Sequence, residues 1–265
     1  MHWVTAADSN IGGREDQQDR YLLAQSDDGS NHLLVVADGA GGHKTGGLAA
    51  QAAIDCIDDN IEELWASTDP DAFIKQLIIE CHTRVLAVGG EDLACTTLVM
   101  ALIRGDEVFW GHVGDSRFYL VRDGETVVKT RDHSLPELQL QASADTDHIV
   151  SMETNKLYMC LGAPVDILPE VASSVVREGD TLLLCSDGLW SQIDMVALLA
   201  DIGDSPVAAK NLDSWINQAR LADKENSDNI TLLVAKFVGQ PSLLQTVLRR
   251  IYRVLGKKRK SRMNF

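Results

Sequence analysis

Three apolar segments, Val108–Val113, Phe118–Val121 and Thr126–Thr130, follow one another with four residues between each. A parallel crossover needs roughly a dozen residues or more, so any pairing among them is antiparallel. Asp123-Gly124, between the second and third, has the residue types of a two-residue hairpin turn. Seven more short segments read as strands bounded by turn signals: Trp3–Ala7, Tyr21–Ala24, His32–Ala37, Thr96–Ile103, Val171–Val176, Thr181–Cys185 and Ile230–Phe237. Two longer stretches carry helical spacing instead. From Gly47 to Trp65, Leu48, Ala52, Cys56, Ile57, Ile61 and Leu64 recur on one face, and from Asp71 to Val88, Phe73, Leu77, Ile78, Cys81 and Val85 do the same. Asp69-Pro70 marks the break between them. A third helical region is expected from Val207 to Ala222. Many antiparallel strands with a consecutive helix pair predict an α+β layered domain, its helices covering sheet faces.

Composition narrows the function classes. With 45% hydrophobic residues the chain can bury a large core. No apolar run is long enough for a membrane-spanning helix, and Met1–Asn10 lacks the pattern of a signal peptide. Cys56, Cys81, Cys95, Cys160 and Cys185 are odd in number and scattered, with no C-x-x-C pair. Reduced core thiols in a cytoplasmic protein are therefore expected, rather than disulfides or a zinc site. Net charge is −15, but residues 241–265 hold eight Lys or Arg and no acid, leaving the first 240 residues at −23. So acidic a body argues against nucleic-acid binding and suits one that concentrates cations.

The acids fall at strand ends. Leu33-Leu34-Val35-Val36-Ala37 ends in Asp38-Gly39, Leu182-Leu183-Leu184-Cys185 ends in Ser186-Asp187-Gly188, and Asp228 stands just before Ile230–Phe237. Carboxylate and carbonyl oxygens are what hard cations such as Mg²⁺ and Mn²⁺ prefer, and glycine lets backbone approach an ion closely. A lone Asp-Gly is also a common turn. Spacing alone leaves open whether the three acids meet.

Eight motifs in order add more: Arg14-Glu15-Asp16-Gln17-Gln18-Asp19; Asp38-Gly39-Ala40-Gly41-Gly42-His43 with Gly46; Thr96-Thr97; Gly114-Asp115-Ser116-Arg117; Asp132-His133-Ser134-Leu135; Leu161-Gly162; Ser186-Asp187-Gly188-Leu189-Trp190; and Ser227-Asp228-Asn229-Ile230-Thr231. Together, over residues 1 to about 238, they resemble the bacterial form of the metal-dependent, type 2C protein phosphatases. The resemblance implies a four-layer αββα sandwich and hydrolysis of phosphoserine and phosphothreonine in proteins by a water activated between two Mn²⁺ or Mg²⁺ ions. It implies that Asp38 bridges both ions, that the Gly39 carbonyl binds one, and that Asp187 and Asp228 bind the other. The same resemblance implies that Asp19 stands behind these ligands towards metal-bound water and that Arg14 grips the substrate phosphate. The implied partners are phosphoprotein substrates and a cognate Ser/Thr kinase.

The chain departs from the family pattern at several positions. Ser191 stands where many relatives have a further Asp, so a third ion at Asp115 is expected to bind weakly or not at all. Gln17-Gln18 replaces an acidic first motif, Cys95 stands for a small residue before the paired threonines and reads as core packing, and Ala40 replaces the histidine of eukaryotic members. His43 and His133 read as structural hydrogen-bonding groups, Trp190 as core, and Asp115 as a cleft-facing acid. Pro136–Asn155, polar and irregular, occupies the place of the family's flap. The losses at Ser191 and Gln18 motivate an alternative, a catalytically weak or dead phosphoprotein-binding scaffold; a phosphatase for one dedicated regulator is a third reading.

The expected boundaries are a catalytic domain over 1–239 and a basic amphipathic tail over 240–265. In the tail Leu243, Leu244, Val247, Leu248, Ile251, Tyr252 and Leu255 keep helical spacing. It suits an acidic partner, the acidic body itself or an anionic membrane surface. A monomer is expected.

Overall fold

The computed structural model describes residues 2–40, 45–89, 94–142, 156–204, 209–223 and 226–238. In the first half, strands β1 (His2–Asn10), β2 (Arg20–Gln25), β3 (Asn31–Ala37) and β4 (Gly39–Ala40) precede helices α1 (Thr45–Asp59), α2 (Ile61–Ala66) and α3 (Pro70–Gly89). Next come β5 (Cys95–Thr96), β6 (Leu98–Arg104), β7 (Glu107–Val113), β8 (Arg117–Arg122), β9 (Glu125–Lys129) and α4 (Leu135–Ala142). The chain continues through β10 (Glu170–Val175), β11 (Thr181–Cys185), α5 (Asp187–Trp190), α6 (Met195–Asp204), α7 (Ala209–Ala222) and β12 (Ile230–Val238). Two five-stranded antiparallel sheets result, ordered β1-β12-β11-β8-β9 and β10-β7-β6-β3-β2.

Three apolar layers hold the sheets and helices together, and strand alternation sorts residues among them. Leu33, Val35 and Ala37 of β3 face α1 and α3, whereas Leu34 and Val36 face the other sheet. Leu182 and Leu184 of β11 join that same inter-sheet layer, while Leu183 and Cys185 pack under Leu198, Leu199 and Ile202 of α6 and Leu212, Ile216 and Ala219 of α7. These central strands are covered on both faces, which is why they read as unbroken apolar runs. The arrangement is the expected four-layer αββα sandwich.

Several local expectations hold and several do not. Asp123 (φ 52°) and Gly124 (φ 76°) both adopt the left-handed conformation of a two-residue hairpin turn. Of the three closely spaced segments, β8 and β9 pair with each other, but β7 belongs to the opposite sheet between β6 and β10. The Gly47–Trp65 helix is broken at Asn60, whose side-chain amide donates to the Cys56 carbonyl at 2.9 Å and closes the end of α1. Asp69 caps α3 by accepting from Ala72 N–H at 3.1 Å, with Pro70 at its first position. Within the segment expected to be irregular from Pro136, residues 135–142 form α4; residues 143–155 lie outside the described residues, as do His43 and the 240–265 tail. Among the described residues no helix is long and apolar enough to cross a membrane.

Candidate metal-binding active site

Sheet register explains how the acids converge. Arg20 pairs with Ala37, so the residues just beyond them, Asp19 and Asp38, emerge side by side from one sheet. In the other sheet Cys185 pairs with Leu232, and Ser186 N–H continues the ladder to the Thr231 carbonyl at 3.2 Å. Asp187 and Asp228 leave that sheet at the same end. Asp38 and Asp187 meet in a side-chain hydrogen bond, with Asp228 close enough to repel Asp187. Asp115, in the turn between β7 and β8, adds its charge to Asp38 and Asp187.

Backbone contacts fix these positions. Thr97 N–H donates to the Asp38 carbonyl at 2.8 Å, Asp38 N–H donates to Thr97 Oγ1 at 3.1 Å, and Thr96 Oγ1 donates to the same carbonyl at 3.0 Å. Gly39 lies opposite Thr96 and directly against the Gly46 backbone, where a Cβ would collide. That approach is why this turn takes glycine at both positions. Asn229 ties the third ligand loop to the first motif: its side chain donates to the Ile11 carbonyl at 2.8 Å and accepts from Gln18 N–H at 2.7 Å.

Asp19 sits behind this group, 3% exposed. Its Oδ2 accepts from Ser186 Oγ at 2.8 Å and from Thr231 Oγ1 at 2.6 Å. Because the Thr231 proton is committed there, Ser9 Oγ donates to Thr231 at 2.9 Å and itself accepts from Gln17 Nε2 at 3.1 Å. The second carboxylate oxygen, Oδ1, is buried without a hydrogen-bond partner among the described residues. Such an orphaned acceptor costs about 1–3 kcal/mol unless something supplies a proton or positive charge.

Electrostatics give the same answer. Burial first, and neighbouring acids second, push Asp38 well above the usual carboxylate range and raise Asp187. Burial lifts Asp115 to about 7, with Asp187 and Asp132 adding to it. Asp19 rises to about 6 through burial, despite its two hydroxyl donors. Crowded carboxylates of this kind are relieved either by holding protons or by binding cations.

Arg14 lies at the rim, 56% exposed, and its guanidinium donates to Asp228 Oδ2 at 2.8 Å. Arg117 does not pair with Asp115. It forms a two-pronged ion pair with Asp132, at 2.9 and 2.6 Å, and lies 3.4 Å over the Trp190 ring. Trp190 Nε1 in turn donates to the Asp115 carbonyl at 3.0 Å. Trp190, read from sequence as core, is half-buried and braces the turn that carries Asp115. Ser191 is exposed at the end of α5, its N–H on the Asp187 carbonyl at 3.0 Å. His133 holds a turn as expected: its Nδ1 accepts from Gly114 N–H at 3.1 Å.

His112, His133 and Glu170 form a second grouping, with ligand atoms within 4.8 Å of one another. His112 Nε2 donates to the Arg131 carbonyl at 2.7 Å, and the two imidazoles are stacked with centroids 4.6 Å apart. With His133 Nδ1 occupied as an acceptor, its Nε2 carries the proton. Stacked rings in these tautomers do not converge two lone pairs on one ion.

Sequence reasoning passed over Ser9, Gln17, Ser186, Thr231 and Asn229 as working parts. Each is a polar residue inside or beside a motif, and all but Gln17 have a partner 167 or more residues away in the chain.

A family model described as "Protein phosphatase 2C" matches residues 8–224. "Serine/threonine phosphatase stp" of Listeria monocytogenes serovar 1/2a is 29% identical over 215 residues, covering 77% of this chain and 84% of that protein. The S. agalactiae serine/threonine phosphatase structure superposes with a TM-score of 0.76 at 26% identity, over 90% of this chain and 100% of that one. The catalytic domain of the serine threonine protein phosphatase PstP, solved with two manganese ions, gives 0.73 at 26% identity, over 89% and 99%.

Proposed function

The chain belongs to the protein phosphatase 2C family and is a divalent-metal-dependent protein serine/threonine phosphatase, and from that premise we propose that it holds two Mn²⁺ or Mg²⁺ ions through Asp38, the Gly39 carbonyl, Asp187 and Asp228. The observation that carries this assignment is the convergence of these acids from different strand ends, with Asp38 and Asp187 in hydrogen-bond contact. The all-oxygen donor set fits hard cations, and the unpartnered Asp19 Oδ1 fits a site that awaits a proton donor. When bound, the ions supply positive charge for the phosphoryl oxygens and lower the pKa of an attacking water.

The chain's own residues then have distinct tasks. Asp19, locked by Ser186 and Thr231, offers Oδ1 as a fixed proton acceptor. Arg14 is exposed enough to exchange Asp228 for the substrate phosphate, whose oxygens match its planar fork. Thr96 and Thr97 hold the Asp38 backbone still. Asp115, braced by Trp190, is assigned a weak third cation position, with the neutral Ser191 nearby.

The scaffold reading is not favoured. Crowding mutually repelling carboxylates into one cleft, with Asp19 and Asp115 buried, is costly, and binding a phosphate dianion beside them without cations would add to the repulsion. Substrates are phosphoproteins, and we assign the enzyme to oppose a Ser/Thr kinase, the reaction class that makes its substrate. The catalytic unit is assigned to 1–239: the first and last strands pair along their whole length, from His2 with Val238 to Asn10 with Ile230. The unit acts as a monomer, since one chain supplies every assigned ligand. The basic 240–265 segment is assigned to contact an acidic partner or a membrane surface.

The test is hydrolysis of a phosphothreonine peptide by the full chain with Mn²⁺, with EDTA and as Asp187→Asn. Metal-dependent turnover that the substitution abolishes supports the assignment. Turnover unaffected by EDTA, or intact Asp187→Asn activity, overturns it.

A further inference from the structure

The five cysteines are not alike. Cys56, Cys81 and Cys185 are buried, but Cys95 and Cys160 are only partly buried, against the expectation that all five fill the core. Cys95 and Cys160 also flank a short antiparallel bridge. Thr96 and Leu161 exchange both backbone hydrogen bonds, at 3.1 and 2.9 Å. In this antiparallel register Cys95 faces Gly162 and Cys160 faces Thr97, so the two cysteines stand on one face of the bridge at diagonal positions. Their thiols are in side-chain hydrogen-bond contact. Cys56 and Cys81 also share a thiol contact, but Cys81 Sγ is committed to the Ala53 carbonyl at 3.7 Å within the α1–α3 layer. The molecule thus carries one accessible dithiol and one sealed dithiol.

The position of the accessible pair matters. Cys95 lies opposite Ala40, and the next residue, Thr96, lies opposite Gly39. Thr96 Oγ1 and Thr97 N–H both hold the Asp38 carbonyl. A covalent link at Cys95 therefore acts on the two-residue strand whose neighbours fix the Asp38 backbone.

We propose that Cys95 and Cys160 are an oxidative modification site, closed to a disulfide by hydrogen peroxide, and that the closed form alters cation binding at Asp38. The Cys95 sulfur, which receives the Cys160 S–H, attacks the peroxide oxygen as thiolate. The O–O bond breaks, hydroxide leaves and takes up a proton, and Cys95 becomes a sulfenic acid. The Cys160 sulfur then attacks the Cys95 sulfur, the S–O bond breaks, and a second water departs with the remaining proton. Two thiols lose two electrons and the peroxide becomes water, so atoms and charge balance. A thiol reductant reverses the link. The disulfide half depends only on the cysteine geometry; the cation half rests on Asp38 being a ligand.

The experiment treats the full-length, metal-free protein with hydrogen peroxide and maps its peptides under non-reducing conditions. Isothermal titration then measures Mn²⁺ binding before oxidation, after it, and after re-reduction. A Cys95–Cys160 peptide pair, free Cys56, Cys81 and Cys185, and a severalfold, reversible change in Mn²⁺ affinity are expected. Cys95→Ser and Cys160→Ser should each lose both the link and the response. Separate adducts without the link overturn the site. A mapped link with unchanged Mn²⁺ affinity overturns its coupling to Asp38. Absence of Mn²⁺ binding by the reduced protein instead counts against the metal assignment, and leaves the mapping as the judge of the dithiol.

Discussion

The layer between the two sheets and the cleft at its end are built by the same strands, yet they obey opposite rules. Along β3, Leu34 and Val36 are fully buried in the apolar inter-sheet layer, and the chain then runs straight into Asp38. Along β11, Leu182 and Leu184 join that layer, and the chain runs into Asp187. In the middle, every buried side chain removes apolar surface from water, worth about 25 cal/mol per Å². At the end, crowded carboxylates are held above their ordinary pKa by burial and by one another. The lesson is that the inter-sheet layer stabilises the fold while the cleft draws on that stability to keep ligands preorganised.

The comparison breaks most sharply at Asp187. Asp187→Asn should lower kcat/KM on a phosphothreonine peptide by roughly 10²- to 10³-fold, equivalent to roughly 3 to 4 kcal/mol of barrier. It should leave the metal-free protein at least as stable as wild type, because one repelling charge is gone; thermal melts in EDTA measure that. The inter-sheet layer should show the reverse. Phe118, fully buried and stacked on Trp110 at 4.9 Å, should cost about 3–5 kcal/mol as Phe118→Ala. Denaturant unfolding reads this loss, and the Mn²⁺ requirement of the surviving folded fraction should be unchanged.

Asp132→Ala tests the brace between the two regions. It strands the Arg117 guanidinium, 13% exposed, without its partner, and should cost about 3–5 kcal/mol if the charge stays buried. If Arg117 swings towards Asp115 instead, the loss will be smaller and the melting temperature will become more sensitive to salt.

The smallest and most diagnostic effect is in pH. Asp115 binds its proton more tightly folded than unfolded, with a folded pKa of about 7 against an ordinary 3.8. Its contribution to stability is therefore present below about 3.8 and is lost as pH rises towards 7. Metal-free Asp115→Asn should melt higher than wild type at pH 8, and the gap should shrink on going down to pH 5. A gap independent of pH would mean that folded Asp115 is already ionised throughout that range and that its pKa is not raised.

Much of this was legible in residue order. The apolar runs ending in Asp38 and Asp187 announced strands capped by acids, and Asp123-Gly124 announced its turn, because those signals are local. Other features were not. The Gly47–Trp65 periodicity continues past Asn60, yet the helix stops there because the Asn60 amide takes the Cys56 carbonyl. The assignment of β7 to the opposite sheet from β8 and β9 was also invisible, since short spacing fixes only the direction of a pairing, not whether it occurs. Trp190 read as core because an aromatic near an apolar strand is usually buried; its work under Arg117 depends on where Asp132 lies.

Residue order carried most of the strands, the two long helical stretches and the acids at the strand ends, since strand period and turn chemistry act over a few residues. Tertiary structure alone decided that Asp19 faces Ser186 and Thr231, 167 and 212 residues away. It alone brought Asp38 and Asp187 from different sheets into contact, and Cys95 to Cys160. Those pairings follow from strand register across two sheets, a property of the packed chain that no local pattern contains.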